Sequence, residues 1–440
     1  MEFIIIIAFL IICIISVFRP SWAFALVMLI FPLKQVIQAL CPIFISKTIG
    51  PESVNYIVGI TVVTACARIA IYKNSPFANW MNYAMVATIG LFVWSVISIT
   101  WSPGMKDGLV LFGDRWPYFF LIIVLSPLLI RDIEDLNTSL QVSFYIGLLL
   151  ALAFMLSSEF TSVYGRIALD LVGGYRSNSL SIGELGGTLL ILGATLRKGA
   201  LPGIGIVLRL AAVVLGALLA IKAGTRGQFL AAVLVSIIFI PISAPVRNIL
   251  NFVVAIFTIG FVLVAASYLV STQLEGFAAK RFSIEQILGG DSSAESRFTN
   301  LYVLFTAYLS SPISIFIGLG YSAFSALPGA AGQPYSHILF ADAVFELGIP
   351  GVVFMSIAVG LGCRATYQLI KLHSQQPIER CVLATIGALI ASQILLVNKQ
   401  GALWGTPILF PLLIIMVRVW LNEANTENEE SCDDIFPSSD

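Results

Sequence analysis

Long apolar runs separated by short polar connections recur along almost the whole chain. They fall at about residues 3–17, 21–45, 54–72, 81–100, 116–130, 139–156, 182–196, 201–221, 228–244, 249–270, 338–360, 381–397 and 403–421. A helix needs about 20 mostly apolar residues to cross the hydrocarbon of a bilayer, where each backbone polar group must find its partner inside the protein. The pattern therefore predicts an all-α polytopic membrane protein with about 12–13 transmembrane helices. The count is open at two places. Run 21–45 is interrupted by Pro32 and Lys34, and run 116–130 is short, so one of them suits a re-entrant or tilted span. The first run follows only Met1 and Glu2 and ends at Phe18-Arg19-Pro20 without a small-residue cleavage site, which reads as a retained helix.

These runs set the expected organisation. Residues 1–421 form a transmembrane domain, and residues 422–440 form an acidic cytoplasmic tail that is expected to be disordered. Two connections are long, 157–181 and 271–336, and the second contains a moderately apolar stretch, 301–318. Ser310-Ser311-Pro312 and Ser314 in the middle of that stretch suit a helix lying in the interface, within a periplasmic loop built of short helices, better than a span.

Composition agrees with a lipid solvent. The chain has 440 residues, 58% of them hydrophobic and 11% charged, whereas soluble domains carry roughly 25% charged residues. Twenty-four Lys and Arg balance twenty-four Asp and Glu, so net charge gives no reason to expect a nucleic-acid partner. The six cysteines form no CxxC pair and predict neither a disulfide nor a metal site.

Charge placement is more informative. The connection 361–380 carries Arg364, Lys371 and Arg380 and reads as cytoplasmic, which puts 271–336 outside. Alternation then places Arg166, Arg176, Arg226, Lys280, Arg281, Arg297 and Lys399 among the outer residues, so the positive-inside rule is only weakly obeyed. As single side chains these can be snorkelling loop residues. As a set they suggest an outward site for an anionic group such as a phosphate or pyrophosphate.

Only two histidines occur, and His373 lies in the cytoplasmic connection. His337 stands at the outer end of run 338–360, in Gln333-Pro334-Tyr335-Ser336-His337, followed by Asp342 and Glu346 four residues apart. A histidine at such a place can be a simple helix-entry residue, and the two carboxylates can serve packing or function.

Three groups of residues resemble a known pattern. His337, ten intervening residues, Gly348, two residues and Gly351 resemble the signature of the O-antigen ligase and O-antigen or exopolysaccharide polymerase superfamily of bacterial inner-membrane glycosyltransferases. Gly224-Thr225-Arg226-Gly227 resembles that family's short periplasmic arginine loop, and Arg297 with Gly318-Leu319-Gly320-Tyr321 resembles its long-loop arginine and glycine turn. The family's ligases usually carry Asn, Ser or Gln after the histidine, where this chain has Ile338, so ligase and polymerase both remain open.

The resemblance implies a multi-pass protein of the bacterial inner membrane with its active site on the periplasmic side. It implies metal-independent, inverting transfer of a glycan from an undecaprenyl-pyrophosphate-linked donor to a glycan or lipid A core acceptor, with no cofactor and with membrane lipid as surroundings. In that reading His337 is the base for the acceptor hydroxyl, because imidazole titrates near neutral pH. Arg226 and Arg297 stabilise the leaving pyrophosphate through planar, permanently charged forks. Tyr321, Asp342, Glu346, Arg166, Arg176, Lys280 and Arg281 are possible supporting residues. A transporter or flippase of lipid-linked sugars is the rival, and it predicts cations along the middle of several spans, where this chain has Arg68, Arg209 and Lys34.

Overall fold

The computed structural model describes residues 2–45, 50, 52–72, 75–156, 160–163, 166–171, 175–176, 178–197, 206–244, 260, 292–330, 335–400, 402–405 and 408–433. Run 249–270 apart from Gly260, and Lys280 and Arg281, lie outside the described residues. The fold is all-α and polytopic. Among the described residues seven helices are long and apolar enough to cross a membrane, or eight when Pro20–Met28 and Ile30–Leu40 count as one broken span. Large apolar side chains stand on their outer surfaces, Ile60 at 66% exposure and Leu149 at 66%, as expected where the solvent is hydrocarbon.

The chain divides into two compact units. The first comprises Met1–Ala65, Asn137–Ser296 and Ser374–Lys399, and the second Cys66–Leu136, Arg297–His373 and Gln400–Asp440.

In the first unit the run at 21–45 bends by 78° between Met28 and Ile30. Pro32 explains the position: it lacks the N–H that would bond the Met28 carbonyl, and its ring crowds that carbonyl. Lys34, polar within this run, pairs with Glu52 at 2.6 Å. The 157–181 connection contains three short antiparallel strands in the order β1 (Phe160–Val163), β2 (Arg166–Leu171) and β3 (Tyr175–Arg176), where hydropathy alone predicted a loop. The helix Ser179–Thr195 then packs tightly on Ile206–Lys222. A Cβ on Gly186 would lie 2.6 Å from the Gly216 carbonyl oxygen, and one on Gly193 would lie 2.8 Å from that of Arg209. In lipid, where no hydrophobic effect drives helices together, such small residues let backbones meet and gain dispersion contacts. Arg209 turns back to donate from Nε to Gly193 O (3.1 Å) and from Nη2 to Ala194 O (3.2 Å), satisfying carbonyls at the end of the Ser179–Thr195 helix.

In the second unit Tyr83–Ser98 packs against Gly348–Leu372, which also meets Leu409–Asp433. Gly90 admits the ring of Phe354, and Gly362 admits Leu413. The span predicted at 338–360 begins instead at Gly348, because its first ten residues form a separate turn with a π-helical segment, Asp342–Glu346. Arg418, 1% exposed, donates to the carbonyls of Ala78, Pro127, Ile130 and Pro76 at 2.8–3.1 Å. The helix carrying it continues to Asp433, past the expected start of a disordered tail. Asn422 anchors this extension by donating to Arg131 O at 2.8 Å, and His373 faces Glu423 across 3.7 Å. Residues 301–318, expected as one interface helix, instead belong to two helices, Ser292–Leu309 and Pro312–Ile317, because Pro312 lacks the N–H that a continuous helix needs.

The glycine contact makes a direct prediction. Gly186→Leu places a branched side chain where the Gly216 carbonyl stands, so thermal unfolding of the detergent-solubilised protein should show a loss of about 1–3 kcal/mol. Unchanged unfolding would mean that the two helices do not touch through these glycines.

Candidate functional site

The motif glycines of the second unit have a common physical purpose. Gly318, Gly320 and Gly348 all adopt positive φ, +82°, +92° and +64°, a region that disfavours side chains. A Cβ on Gly318 would collide with the Glu346 carbonyl, and one on Gly348 with the Gly318 backbone. Gly351 likewise meets the Ala343 carbonyl. The two sequence motifs, Gly318-Leu319-Gly320-Tyr321 and Gly348 to Gly351, therefore interlock backbone to backbone. Leu319 N donates to Phe345 O at 2.9 Å, and Gly320 N donates to Glu346 O at 2.8 Å.

Glu346 closes this joint with its side chain. Its carboxylate accepts the backbone N–H groups of Ser322 (3.1 Å) and Phe324 (2.9 Å), holding the Gly318–Phe324 turn from within. Membrane-helix tryptophans hold it from outside: Trp101 Nε1 donates to Gly318 O at 3.3 Å and Trp94 Nε1 to Leu347 O at 2.8 Å. Tyr321, 3% exposed, is fixed through its N–H to Ser98 Oγ at 3.0 Å.

A second knot surrounds His337. Its φ of +69° is left-handed, uncommon for a residue with a side chain. Ser336 immediately before it is fully buried; its hydroxyl donates to Asp342 Oδ1 and accepts the Ile338 N–H at 3.1 Å. Asn300 Nδ2 donates to Ser336 O at 3.3 Å. The turn is thus held on both sides of His337, while the imidazole itself remains partly exposed against the Tyr335 ring, centroids 4.4 Å apart. Asn300 lies one turn after Arg297 on the helix Ser292–Leu309, so the helix that bonds the histidine turn also carries Arg297 on the same face. Arg297 is partly exposed.

Both carboxylates are therefore engaged by the loop rather than by a facing helix. Burial raises Asp342 well above the ordinary carboxylate range, and the nearby Glu346 charge raises it further. Burial also pushes Glu346 up to about 7, opposed by the N–H bonds from Phe324 and Ser322. The same burial, with both carboxylates beside it, raises the Tyr321 phenol far above its usual value and keeps it neutral.

The second unit thus brings together Arg297, Tyr321, His337, Asp342 and Glu346. Arg226 belongs to the first unit. There Gly224, with φ +67°, ends the helix Ile206–Lys222, Thr225 Oγ1 donates to Ala220 O at 3.0 Å, and Arg226 opens the helix Arg226–Ser243. Lys399 lies next to it in space, since a Cβ on Gly227 would stand 2.6 Å from Lys399 Nζ. Arg166 and Arg176 fall in strands β2 and β3. Sequence reading did not single out Ser336, Asn300, Trp94 or Trp101. The three-residue spacing from Arg297 to Asn300, which puts them on one helix face, is the signal in the sequence that points to Asn300.

Replacing Glu346 by Gln removes one acceptor oxygen and leaves a buried N–H of Ser322 or Phe324 without its partner. Equilibrium unfolding or limited proteolysis of the Gly318–Phe324 turn should register a loss of about 1–3 kcal/mol. Wild-type resistance to protease in that variant would show that the carboxylate is not what holds the turn. No family model and no curated protein matches this sequence.

Proposed function

We propose that this chain is a membrane glycosyltransferase that moves a glycan from undecaprenyl pyrophosphate to an acceptor sugar hydroxyl at the periplasmic face of a bacterial inner membrane, as an O-antigen ligase or an O-antigen or exopolysaccharide polymerase. One observation carries the reading. A histidine sits in a left-handed turn that Ser336, Asp342 and Asn300 hold from buried positions, on a scaffold that also presents Arg297. Backbone strain of this kind persists where surrounding structure over-determines it, and it concentrates at functional sites.

The roles follow from the chemistry of the groups. The acceptor hydroxyl must lose a proton as it attacks the anomeric carbon, and His337 can take it near neutral pH. The departing lipid pyrophosphate gathers negative charge on its oxygens, and the planar, permanently charged forks of Arg297 and of Arg226 are each suited to such oxygens. Attack opposite the leaving group inverts the anomeric centre. Asp342 and Glu346 are positioning residues, because their oxygens hold the turns on which His337 and Tyr321 stand.

Purified protein given a lipid-linked glycan and an acceptor separates these roles. His337→Ala should retain donor binding and lose transfer by about 10²–10⁴-fold. Arg297→Lys and Arg226→Lys keep the charge but lose the fork, and should lower turnover by roughly tenfold or more. Wild-type transfer by the His337→Ala protein would reduce the histidine to a helix-entry residue, and full activity in both lysine variants would remove the arginines from the donor site.

A further inference from the structure

The helix Met105–Tyr118 of the second unit carries an arginine that no contact among the described residues explains. Hydropathy starts the apolar run at Trp116, but the structure extends the candidate span back to Met105, so it runs to Leu129 and includes Arg115. Arg115 follows Met105 by ten residues, about 15 Å along the helix axis. Hydrocarbon cannot solvate a guanidinium, so an arginine within a span needs polar partners. Arg209 and Arg418 find theirs in carbonyl oxygens. Arg115 does not: among the described residues its guanidinium makes neither an ion pair nor a hydrogen bond. Asp114 precedes it in sequence, yet adjacent residues point about 100° apart around a helix and do not face each other.

The direction in which the side chain leaves the helix gives the second observation. Gly108 and Arg115 are two turns apart and share a helix face. That face packs on the turn Gly318–Phe324: a Cβ on Gly108 would lie 3.4 Å from the Tyr321 carbonyl oxygen, and one on Gly104, just before the helix, would collide with that of Ser322. Phe112, between Gly108 and Arg115, meets Trp404 edge to face with centroids 5.4 Å apart, which fixes the helix here. Burial and the Glu346 and Asp342 carboxylates raise the Tyr321 phenol, and the Arg115 charge opposes them, so the guanidinium stands within electrostatic reach of that ring. The backbone beside Arg115 is also altered. Pro117 lacks the N–H that would bond the Gly113 carbonyl, and a π-helical segment, Phe119–Leu125, follows. Such segments within helices are frequent at functional sites.

We propose that Arg115 is a further donor-binding residue, whose guanidinium fork takes oxygens of the lipid-linked pyrophosphate from the side of Tyr321. A permanently charged planar group without a protein partner is matched by a bidentate oxyanion, and the anion supplies the charge and the acceptors that the protein withholds. The identity of the anion rests on the glycan-transfer reading. The need for one rests on the geometry alone.

The test is equilibrium binding of ³²P-labelled undecaprenyl pyrophosphate to the purified full-length chain in nanodiscs, with glycan transfer measured on the same samples. Arg115→Gln should weaken binding roughly tenfold or more, and Arg115→Lys should fall between it and wild type, because the charge remains and the fork is lost. The lysine variant remains informative if the glutamine variant fails to fold. Wild-type affinity in a folded Arg115→Gln protein, wild-type affinity in Arg115→Lys, or no saturable binding to the wild-type chain would overturn the proposal. The two readings fail separately. Binding that depends on Arg115 in a chain that transfers no glycan would keep this residue as an oxyanion ligand and remove the transferase, whereas normal binding and transfer by Arg115→Gln would remove Arg115 alone.

Discussion

The candidate site depends on one constraint: two loop N–H groups, those of Ser322 and Phe324, are buried where water cannot serve them, and the Glu346 carboxylate serves both. Glu346 stands in a π-helical segment directly before a membrane span, and its own carbonyl accepts Gly320 N. Side chain and backbone of one residue thus fasten the glycine turn to the span. The glycines follow from this fastening, since any side chain at Gly318 or Gly348 would separate the two backbones. His337 lies on the other side of the same segment, tied through Ser336 to Asp342, so the two carboxylates fix two loops onto one short helical stretch.

The same requirement, that polar backbone be satisfied in a medium without water, accounts for Arg418 and Arg209. Arg418 occupies four carbonyls where a 3₁₀ turn and two loops end, and Arg209 occupies two at a helix terminus. These are cations within apolar helices, yet hydrogen bonding to carbonyl oxygens accounts for them. Their presence therefore does not favour a transport pathway.

Much of the fold was legible in the sequence because lipid imposes a simple rule of length and hydropathy. Twelve of the thirteen apolar runs coincide with helices, and the thirteenth, 249–270, lies outside the described residues apart from Gly260. Boundaries were less legible. The span at Gly348 looked longer in sequence because Ile338 to Leu347 is as apolar as a span, and only the positive φ of Gly348 separates the two pieces. Strands β1 to β3 pair through backbone bonds that leave little trace in hydropathy. At the site, residue types and spacing pointed to His337, Arg297 and the glycines. The supports Asn300, Trp94 and Trp101 were illegible because each acts through a contact with a residue distant in the chain, and Ser336 was illegible because its bond to Asp342 depends on the turn between them.

As a proposed glycosyltransferase, the chain would transfer a glycan and not merely carry it. Proteoliposomes holding the purified chain, a lipid-linked glycan labelled in both sugar and pyrophosphate, and an acceptor permit the decisive measurement. Labelled glycan should appear on the acceptor in step with undecaprenyl pyrophosphate released without its sugar. Labelled glycan that crosses the bilayer still joined to its lipid, with none on the acceptor, would contradict it.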